Sequence, residues 1–568
     1  MYGKPKYKDS FVSFDYVSPL AKKGGHARLS ALGQVGSFNP YSYRLWPTEG
    51  LKRTFSTLLS RSEDEVASAY GYLASSIEFS QDNKSFIFYI RPEAVFHDGS
   101  PVRPEDVIAT FKAVNSPMMP QHSGILSGVA KAEKVKNNGV KFTIDSGNTK
   151  EKAFLIGTEL FILAQKDIEN FPILSKSNHI YLGSGPYKLV PSNSIMHVTY
   201  KRVKDWWGKN LPVNKGKYNF NTISYSFFYS RQGSFEALKA VQLDVREETV
   251  AEQWKRGYNF PAVTRGDIEK LEFPHSNISG MMGIAFNLRN PLFQDIRVRK
   301  AISLMLNFEW MNKNIFNNSY KRLRSYFTGT YFEASSPPSR EELELLNNYR
   351  KYLPLSLFEK PFNTHHENGS VLNRCHIEEA LQLLKKAGWQ MREGKLVNKK
   401  TGKVFKINIL LPTVSYARFM HSFQKNLRRI GIFASLETPD KATYKHRKNL
   451  LEFDILAGAF YPVFEIPGSK LDLYWHSKYA NKKGTKNLTG TSDFVVDSFL
   501  EKIKTAKTEE ELIIAMRALD RILLYRYYLI PQWTSTTYRI AKSKFIEKPN
   551  KKLYHGFGFD TWWFSRRT

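Results

Sequence analysis

The sequence predicts an α/β protein with a mixed α+β part, built from several folding units. The chain has 568 residues, which at ~100–200 residues per domain corresponds to roughly two to four units. Hydrophobic residues make up 42% and aromatic residues 14%, so the chain has ample core material and does not resemble a disordered protein. Short strand-like runs alternate with longer helical runs, and no repeat of ~20–50 residues indicates a solenoid or propeller.

The first clear elements are a strand and a helix joined by a tight turn. Residues 85–91 (SFIFYIR) alternate between apolar and other side chains, which predicts a half-buried strand. In the following "HDGSPVRPEDV", Asp98-Gly99 is typical of a tight turn, and Pro104 suits the first turn of a helix. We therefore expect a helix at 105–113. In the strand predicted at 85–91, the apolar residues that share one face are Phe86, Phe88 and Ile90.

Two further helices follow in the second half of the chain. Asp295 is a candidate N-cap, and apolar residues continue after it at helical spacing, which predicts one amphipathic helix. Residues 377–387 repeat the pattern, and Gly388 suits the position just past a helix end. The apolar positions after Asp295 are Val298, Ile302, Met305 and Phe308.

Residues 405–460 predict a βαβ arrangement. Residues 405–411 alternate as a strand, residues 419–430 form a helix that ends at Gly431, and residues 432–436 form the returning strand. Another helix and a strand at 453–460 (FDILAGAF) complete the unit. Two successive crossovers predict a parallel or mixed sheet covered by helices.

Charge and cysteine content restrict the function. The net charge is 84 − 53 = +31, yet no run of five cations occurs, and no zinc-finger, basic-zipper or RNA-recognition signature is present. We therefore expect most of the charge to be solvated surface, which would also suit acidic lipids or cell-wall polymers. The single Cys375 excludes intrachain disulfides and multi-cysteine zinc sites, and we expect a buried structural thiol.

The ends and apolar segments of the chain leave its location open. No stretch approaches the ~18 apolar residues of a membrane span, and the polar start MYGKPKYKDS is not a signal peptide. The protein is then either cytoplasmic or a mature form whose leader has been removed. The residues alone do not choose between these alternatives.

Catalytic motifs are absent from the sequence. It contains no HExxH, GxSxG, Walker A, GxGxxG or EF-hand pattern. The "LGSGPY" at 182–187 is interpreted as a turn leading into a strand, and "THHEN" at 364–368 as a solvated loop rather than a metal site. We expect no enzyme activity, no metal and no cofactor.

Aromatic and amide side chains instead favour a binding groove for an organic ligand, although each aromatic could equally be an ordinary core residue. They lie near predicted strand ends: Tyr444, Phe460, Tyr461, Phe464, Trp475, Asn487 and Trp533.

Several phrases, in order, resemble the bacterial family 5 solute-binding proteins, the receptors of peptide and nickel ABC importers. They include "SFIFYIRPEAVFHDGSPVRPEDV", "GSGPYKL", "FEALKAVQLDVREE" and "NPLFQDIRVRKAISLMLNFEWMNKNIF". The phrases "DWWGKNLPVNKGKYNF", "YNFPAV", "KRLRSYF" and "AGW" resemble its YejA-type oligopeptide-binding branch. The resemblance covers nearly the whole chain.

This resemblance implies a two-lobed type II periplasmic-binding-protein fold of the large three-domain (cluster C) kind, with a hinge between lobes. Residues 1–55, 190–278 and 530–568 would form a discontinuous lobe I, with an accessory domain at 56–189. Residues 279–529 would form lobe II.

The resemblance also implies a periplasmic receptor, without catalysis, that buries an oligopeptide between its lobes. The peptide would be held through its backbone, with water-filled pockets for its side chains. The partners would be the peptide, the inner-membrane ABC permease and its ATPase subunits, with no nucleic acid, and the protein would be a monomer. The alternatives are a basic cell-surface or nucleic-acid-binding protein, and a hydrolase with an undetected site. The net charge favours acidic ligands such as murein-type peptides.

Site residues follow from the same resemblance. Receptors of this family commonly hold the peptide ammonium with an Asp after the strand equivalent to 453–460, and here Glu465 would take that role. Residues 35–39 (VGSFN) lie where lobe I contributes backbone. The expected ligand contacts are Val35, Ser37, Phe38, Asn39, Ser184, Tyr444, Arg447, Gly458, Phe460, Tyr461, Glu465, Trp475 and Asn487.

Overall fold

The structure is a computed structural model that describes residues 5–42, 46–65, 67–116, 119, 126–175, 178–275, 277–363, 373–463, 467–551 and 553–565. The chain divides into two compact units, Met1–Asn277 with Thr537–Thr568 and Ile278–Thr536. The first unit is therefore discontinuous in sequence. The separate accessory domain at 56–189 stays a prediction, because these residues belong to the first unit.

A seven-stranded mixed sheet forms the centre of the first unit. His26–Leu32 pairs in parallel with Thr222–Phe228 and with Val245–Glu247, so these three strands end at the same edge. The other pairs in this sheet are antiparallel. Across the sheet the order is Ile268–Pro274, Thr537–Ser543, Val245–Glu247, His26–Leu32, Thr222–Phe228, His197–Arg202 and Tyr187–Val190.

A four-stranded antiparallel sheet contains the first predicted strand, which the structure confirms at Ser85–Ile90. Phe86 stacks on Phe142 of the neighbouring strand at 5.3 Å between ring centroids. The turn at Gly99 is also confirmed, since its φ is +86°. The order is Ala74–Phe79, Ser85–Ile90, Gly139–Ile144 and Val129–Val135. Two short pairs accompany it: Leu59–Arg61 with Ala69–Gly71, and Ile546–Glu547 with Trp563–Phe564.

The predicted helix after the turn spans Pro104–Val114. Pro104 occupies its first turn, and the Arg103 N–H donates to Asp106 Oδ2 at 2.8 Å, which secures the helix start. The remaining described helical segments of the first unit are Leu51–Thr54, Thr149–Glu159, Gln165–Asn170, Arg231–Lys239, Ala251–Arg256, Pro261–Thr264 and Phe559–Thr561.

The second unit contains the predicted βαβ arrangement. Lys406–Leu410 pairs in parallel with both Phe433–Glu437 and Ile455–Tyr461. Met281–Phe286 and Leu529–Pro531 extend this five-stranded sheet through antiparallel pairs. The order is Phe433–Glu437, Lys406–Leu410, Ile455–Tyr461, Met281–Phe286 and Leu529–Pro531. The short pairs are Lys321–Arg322 with Trp533–Thr534 and Trp389–Arg392 with Lys395–Asn398.

The crossover helix Val414–Arg429 buries Phe423 and Leu427 against Ile407 and Ile409 in one core. This packing follows from the apolar stripe that predicted the helix. The other described helical segments of this unit are Pro291–Phe293, Ile296–Ser303, Phe308–Asn314, Arg340–Asn347, Arg350–Tyr352, Ser356–Glu359, Arg374–Lys386, Lys441–Leu450, Ser469–Trp475, Ser477–Tyr479, Phe494–Thr505 and Glu509–Tyr525.

Two expectations from the sequence are wrong. The single helix after Asp295 is two helices, Ile296–Ser303 and Phe308–Asn314. Asn307 caps the second one by accepting from the Trp310 N–H at 3.2 Å, so its side chain starts a new helix where the apolar spacing continues. Cys375 is exposed rather than buried, because its helix buries a different stripe.

No helix within the described ranges is both long enough and apolar enough to cross a membrane.

Candidate ligand-binding site

Exposed apolar side chains gather where the parallel strands of the first unit end. Leu32 is opposite Phe228 in the strand register, and the Gly33 N–H donates to the Phe228 carbonyl at 2.9 Å. Leu32 is 53% exposed and Tyr229, the next residue after the second strand, is 77% exposed. Carboxyl ends of parallel strands are where open α/β sheets bind ligands, so this edge is a candidate ligand face.

The segment after Leu32 runs between two further exposed apolar residues. The Val35 N–H donates to the Ile195 carbonyl at 2.8 Å, and the Ser37 N–H donates to the Trp46 carbonyl at 2.9 Å. Ile195 is 60% exposed and Trp46 is 83% exposed. A Cβ at Gly36 would lie 2.1 Å from the Trp46 carbonyl oxygen, so this close approach requires glycine. Grouped exposed apolar side chains mark interaction sites.

Other predicted contacts in the first unit are buried and hold this segment in place. Asn39 donates from its side chain to the Ile173 carbonyl at 2.8 Å and accepts from the Tyr41 N–H at 2.9 Å. Ser37 Oγ accepts from the Asn39 N–H, and the Phe38 N–H donates to Asn178 Oδ1. Ser184 is fully buried, and its carbonyl accepts from the indole N–H groups of Trp206 and Trp207. Their roles as ligand contacts stay predictions.

The second unit has a corresponding edge. Strands Lys406–Leu410 and Ile455–Tyr461 are parallel and run toward the same side of the sheet, and Ile455–Tyr461 continues five residues past Leu456, the partner of Leu410. Phe460 at the end of one strand is 51% exposed, and Val414, which begins the helix after the other, is 76% exposed. Phe460 was predicted as a ligand contact, and it lies exposed on this candidate face.

Gly458 brings a tyrosine onto this edge. Its φ is +69°, and the register with Met281–Phe286 shifts beside it. A Cβ at Gly458 would lie 2.9 Å from Tyr416 Oη, so both backbone conformation and space require glycine. Burial raises the pKa of Tyr416 above its ordinary value and raises the pKa of Tyr444 to about 12. Tyrosine is protonated at neutral pH even without such a shift, and the Tyr416 hydroxyl donates to Met282 Sδ at 3.4 Å.

The remaining predicted contacts of the second unit pack inside it. Tyr461 stacks on Trp475 at 4.6 Å, and each is 2% exposed. Asn487 donates to the Thr491 carbonyl and accepts from the Thr491 N–H, both at 2.9 Å. Arg447 pairs with Glu437. Glu465 and Phe464 lie outside the described residues.

Within the described ranges, no group of three or more His, Cys, Asp or Glu side chains is placed to hold a metal ion. The "THHEN" segment at 364–368 lies outside those ranges.

Comparison with known families decides the class. The profile of the bacterial extracellular solute-binding proteins, family 5 Middle, matches residues 69–482. The chain belongs to this family. This confirms the resemblance drawn from the sequence, and family 5 is a family of binding proteins.

Individual relatives agree with this assignment. The probable peptide-binding protein YejA of Agrobacterium fabrum is 32% identical, over 99% of this chain and 92% of its own. The peptidoglycan-binding protein YepA of the same organism is 31% identical, over 100% of this chain and 94% of its own. The oligopeptide-binding protein AppA of Bacillus subtilis, solved with a nonapeptide, has a TM-score of 0.72 at 17% identity, covering 96% of this chain and 100% of that one. This likeness confirms the predicted fold class.

The predicted contacts do not include five of the exposed apolar residues on the two candidate faces: Leu32, Trp46, Ile195, Tyr229 and Val414. Two of these residues could be recognised from the sequence as exposed, because Leu32 and Tyr229 lie at or just after strand ends, where apolar residues have no core to fill. Trp46 and Ile195 follow no strand pattern, and only the hydrogen bonds to residues 35 and 37 connect them to the site.

Proposed function

We propose that the protein is the substrate-binding receptor of an ABC importer and that its ligand is an oligopeptide captured in the periplasm. Family membership supports an extracytoplasmic receptor, and the names of YejA-type relatives support a peptide. The protein works as a monomer that delivers its ligand to an inner-membrane permease and the permease's ATPase subunits. The alternative of a nucleic-acid-binding protein gains no support from the comparisons.

The observation that carries this proposal is the chemistry of the two carboxyl edges. The first unit presents the segment 33–37 between exposed apolar side chains; its Gly33, Val35 and Ser37 N–H groups donate within the protein, which leaves, among the described residues of this segment, the backbone groups of Gln34 and Gly36 for a ligand. The second presents Phe460 and two protonated tyrosine hydroxyls. Backbone groups recognise a peptide with little regard to its sequence, while apolar surface and neutral donors contact its side chains.

The ligand's charge is a separate part of the proposal. The net charge of +31 favours association with anions, so we propose acidic peptides, including those of cell-wall origin. Titration with matched acidic and Lys/Arg-rich peptides measures this preference. Tighter binding of the acidic peptide is expected, and tighter binding of the basic peptide would contradict this part while leaving the receptor assignment intact.

Truncating the exposed rim of the first unit tests the proposed function. Trp46→Ala with Tyr229→Ala removes two aromatic contacts without opening a core, since both side chains are mostly exposed. We expect peptide affinity, measured by calorimetry, to fall by about tenfold or more. Leu20→Ala is the matched control, because Leu20 is 75% exposed in the same unit. Equal affinity in the double variant and the control would reject this face as the binding site.

A further inference from the structure

The sheet of the second unit has an open edge. Phe433–Glu437 is its terminal strand, and no strand in the described part of the chain pairs with its outer side. The Phe433 N–H donates to the Phe405 carbonyl, and the Glu437 carbonyl accepts from the Leu411 N–H, so these residues face the sheet. By the alternation of parallel strands, the backbone groups of Ala434 and Leu436 point outward. Gln424 Nε2 reaches the outward Ala434 carbonyl at 2.7 Å, which confirms that direction.

A basic groove of about 950 Å³ is lined by the amino-terminal half of this terminal strand, the same half of Lys406–Leu410 and one face of the crossover helix. Lys406 and Lys425 line it and have no ion-pair partner among the described residues, while Arg428 lies over the Phe433 ring at 3.5 Å. The one carboxylate in the lining, Asp454, already accepts from the Asn408 N–H and the Asn290 amide. The ionisable lining residues are Lys406, His421, Lys425, Arg428, Arg429 and Asp454.

The surrounding sequence reinforces this charge. Residues 394–436 contain no Asp or Glu but carry nine Lys and Arg residues. This stretch includes the hairpin strand Lys395–Asn398, whose Leu396 N–H donates to the Gly431 carbonyl next to the groove. Glu393 and Glu437 flank this stretch, and Glu437 pairs with Arg447, so the groove keeps an excess of positive charge.

We propose that this edge is a docking surface for an extended acidic polypeptide segment, which adds to Phe433–Glu437 as a further strand. The Ala434 carbonyl already accepts from Gln424, so the Ala434 N–H and the backbone groups of Leu436 supply the hydrogen bonds of strand addition, and the lysines and arginines of the groove select acidic side chains. The site is distinct from the peptide-binding faces, because the groove is lined from the amino-terminal halves of Lys406–Leu410 and Phe433–Glu437.

Two other occupants fit the surface less well. A second copy of the chain would bring the same cations to the same edge and would be repelled. An anionic bilayer offers phosphates, but it is flat and has no backbone groups for Ala434 and Leu436, whereas the groove is concave and follows a strand.

A capped peptide that alternates Glu and Thr is the probe for this docking. Docking to the full-length protein at low salt is measured as protection of the Ala434 and Leu436 amides in hydrogen exchange at increasing probe concentration, because calorimetry would also register the probe at the peptide-binding faces. Lys425→Glu with Arg428→Glu should weaken binding at least about tenfold. Lys482→Glu with Lys483→Glu is the control, since it changes the net charge equally at exposed positions outside the groove.

A separate variant tests whether the backbone of the terminal strand takes part in docking. Ala434→Pro removes one outward N–H and leaves the pairing with Lys406–Leu410 intact, so it should abolish amide protection, whereas Ala434→Val should retain it. Phe460→Ala, on the peptide-binding face, should leave docking of the probe unchanged.

Three results would overturn this docking proposal. The first is that the groove variant and the control variant lose the same amount of probe binding. The second is that the Ala434 and Leu436 amides stay unprotected while the probe is bound. The third is that phosphatidylglycerol vesicles protect these amides and the acidic peptide does not. A matched peptide that alternates Lys and Thr should not bind the edge.

Discussion

The carboxyl edges of the two sheets present different chemistry to a ligand. In the first unit the edge is mainly backbone, residues 33–37, with exposed apolar side chains on either side. In the second unit the edge is mainly side chains, and a glycine at 458 allows Tyr416 to approach the strand. Backbone recognition is independent of ligand sequence, while side chains discriminate. The first unit is therefore expected to supply general affinity and the second unit selectivity.

The units also differ in their buried ionisable groups. Burial lowers the pKa of His97 in the first unit to about 4. Burial raises the pKa of Asp520 in the second unit to about 7, although its carboxylate accepts from the Tyr326 and Ala334 N–H groups. The two groups have opposite effects on the pH dependence of stability.

Acidification is expected to have the largest effect, because it changes the contributions of His97 and Asp520 to the free energy of unfolding in opposite directions. The pKa of His97 is about 4 in the folded protein and 6.5 in the unfolded chain. The fold therefore keeps its full stability above pH 6.5 and loses stability as the pH falls toward 4, because only the unfolded chain binds the proton. This interval corresponds to a loss of up to roughly 3 kcal/mol. Asp520 acts oppositely, favouring the fold at low pH and losing that contribution as pH rises toward 7.

The measurement is the free energy of unfolding of wild type and His97→Asn between pH 7 and pH 4. Asparagine is uncharged at both pH values but too short to keep the 2.8 Å contact of His97 Nε2 with the Gly185 carbonyl, and this loss does not depend on pH. The variant lacks the loss that His97 causes on acidification, so its unfolding free energy relative to wild type should rise by up to roughly 3 kcal/mol between pH 6.5 and pH 4. An exposed histidine, His421→Asn, serves as the control. Identical profiles for wild type and His97→Asn would contradict the assignment.

Alanine at Gly458 is expected to have the next largest effect. Gly484 has a similar φ of +72°, but a Cβ there meets no atom within 4 Å, whereas a Cβ at Gly458 meets Tyr416. Gly484→Ala should cost about 1 kcal/mol from backbone strain alone. Gly458→Ala should cost about 2–3 kcal/mol because the Tyr416 ring must also move. Chemical denaturation compares them, and equal costs would show that Tyr416 does not constrain this strand.

Truncation of Phe460 tests whether the second edge contacts ligand. Phe460→Ala should weaken peptide binding about tenfold, while Phe494→Ala, which removes a similarly exposed ring in the same unit, should change affinity less than about twofold. The two rings are 51% and 53% exposed. Calorimetric titration with a single peptide measures both variants, and matched affinities would remove Phe460 from the ligand face.

Modification of Cys375 is expected to have the smallest effect. Its thiol is exposed near the start of helix Arg374–Lys386, so a maleimide should react with the native protein. Peptide affinity and thermal stability should stay unchanged. A thiol that reacts only after denaturation would contradict its exposed position.

The sequence predicted the regular elements better than the contacts between them. The βαβ unit and the strand at Ser85–Ile90 were correct because their apolar periodicity is strong over several residues. The helix break before Phe308 was missed because one asparagine cap outweighed a continuing apolar pattern. Whether an aromatic residue faces the core or the solvent depends on residues distant in the chain. Trp475 and Phe460 therefore looked equivalent in sequence, although one is buried against Tyr461 and the other is exposed.

Native mass spectrometry of freshly purified protein, followed by denaturation and sequencing of any released molecule, tests the receptor assignment most directly. We expect a bound peptide, enriched in acidic residues, and added peptide at ~100 times its dissociation constant should stabilise the emptied protein by ~2.7 kcal/mol. A protein that carries no ligand and that no peptide mixture stabilises would contradict the account.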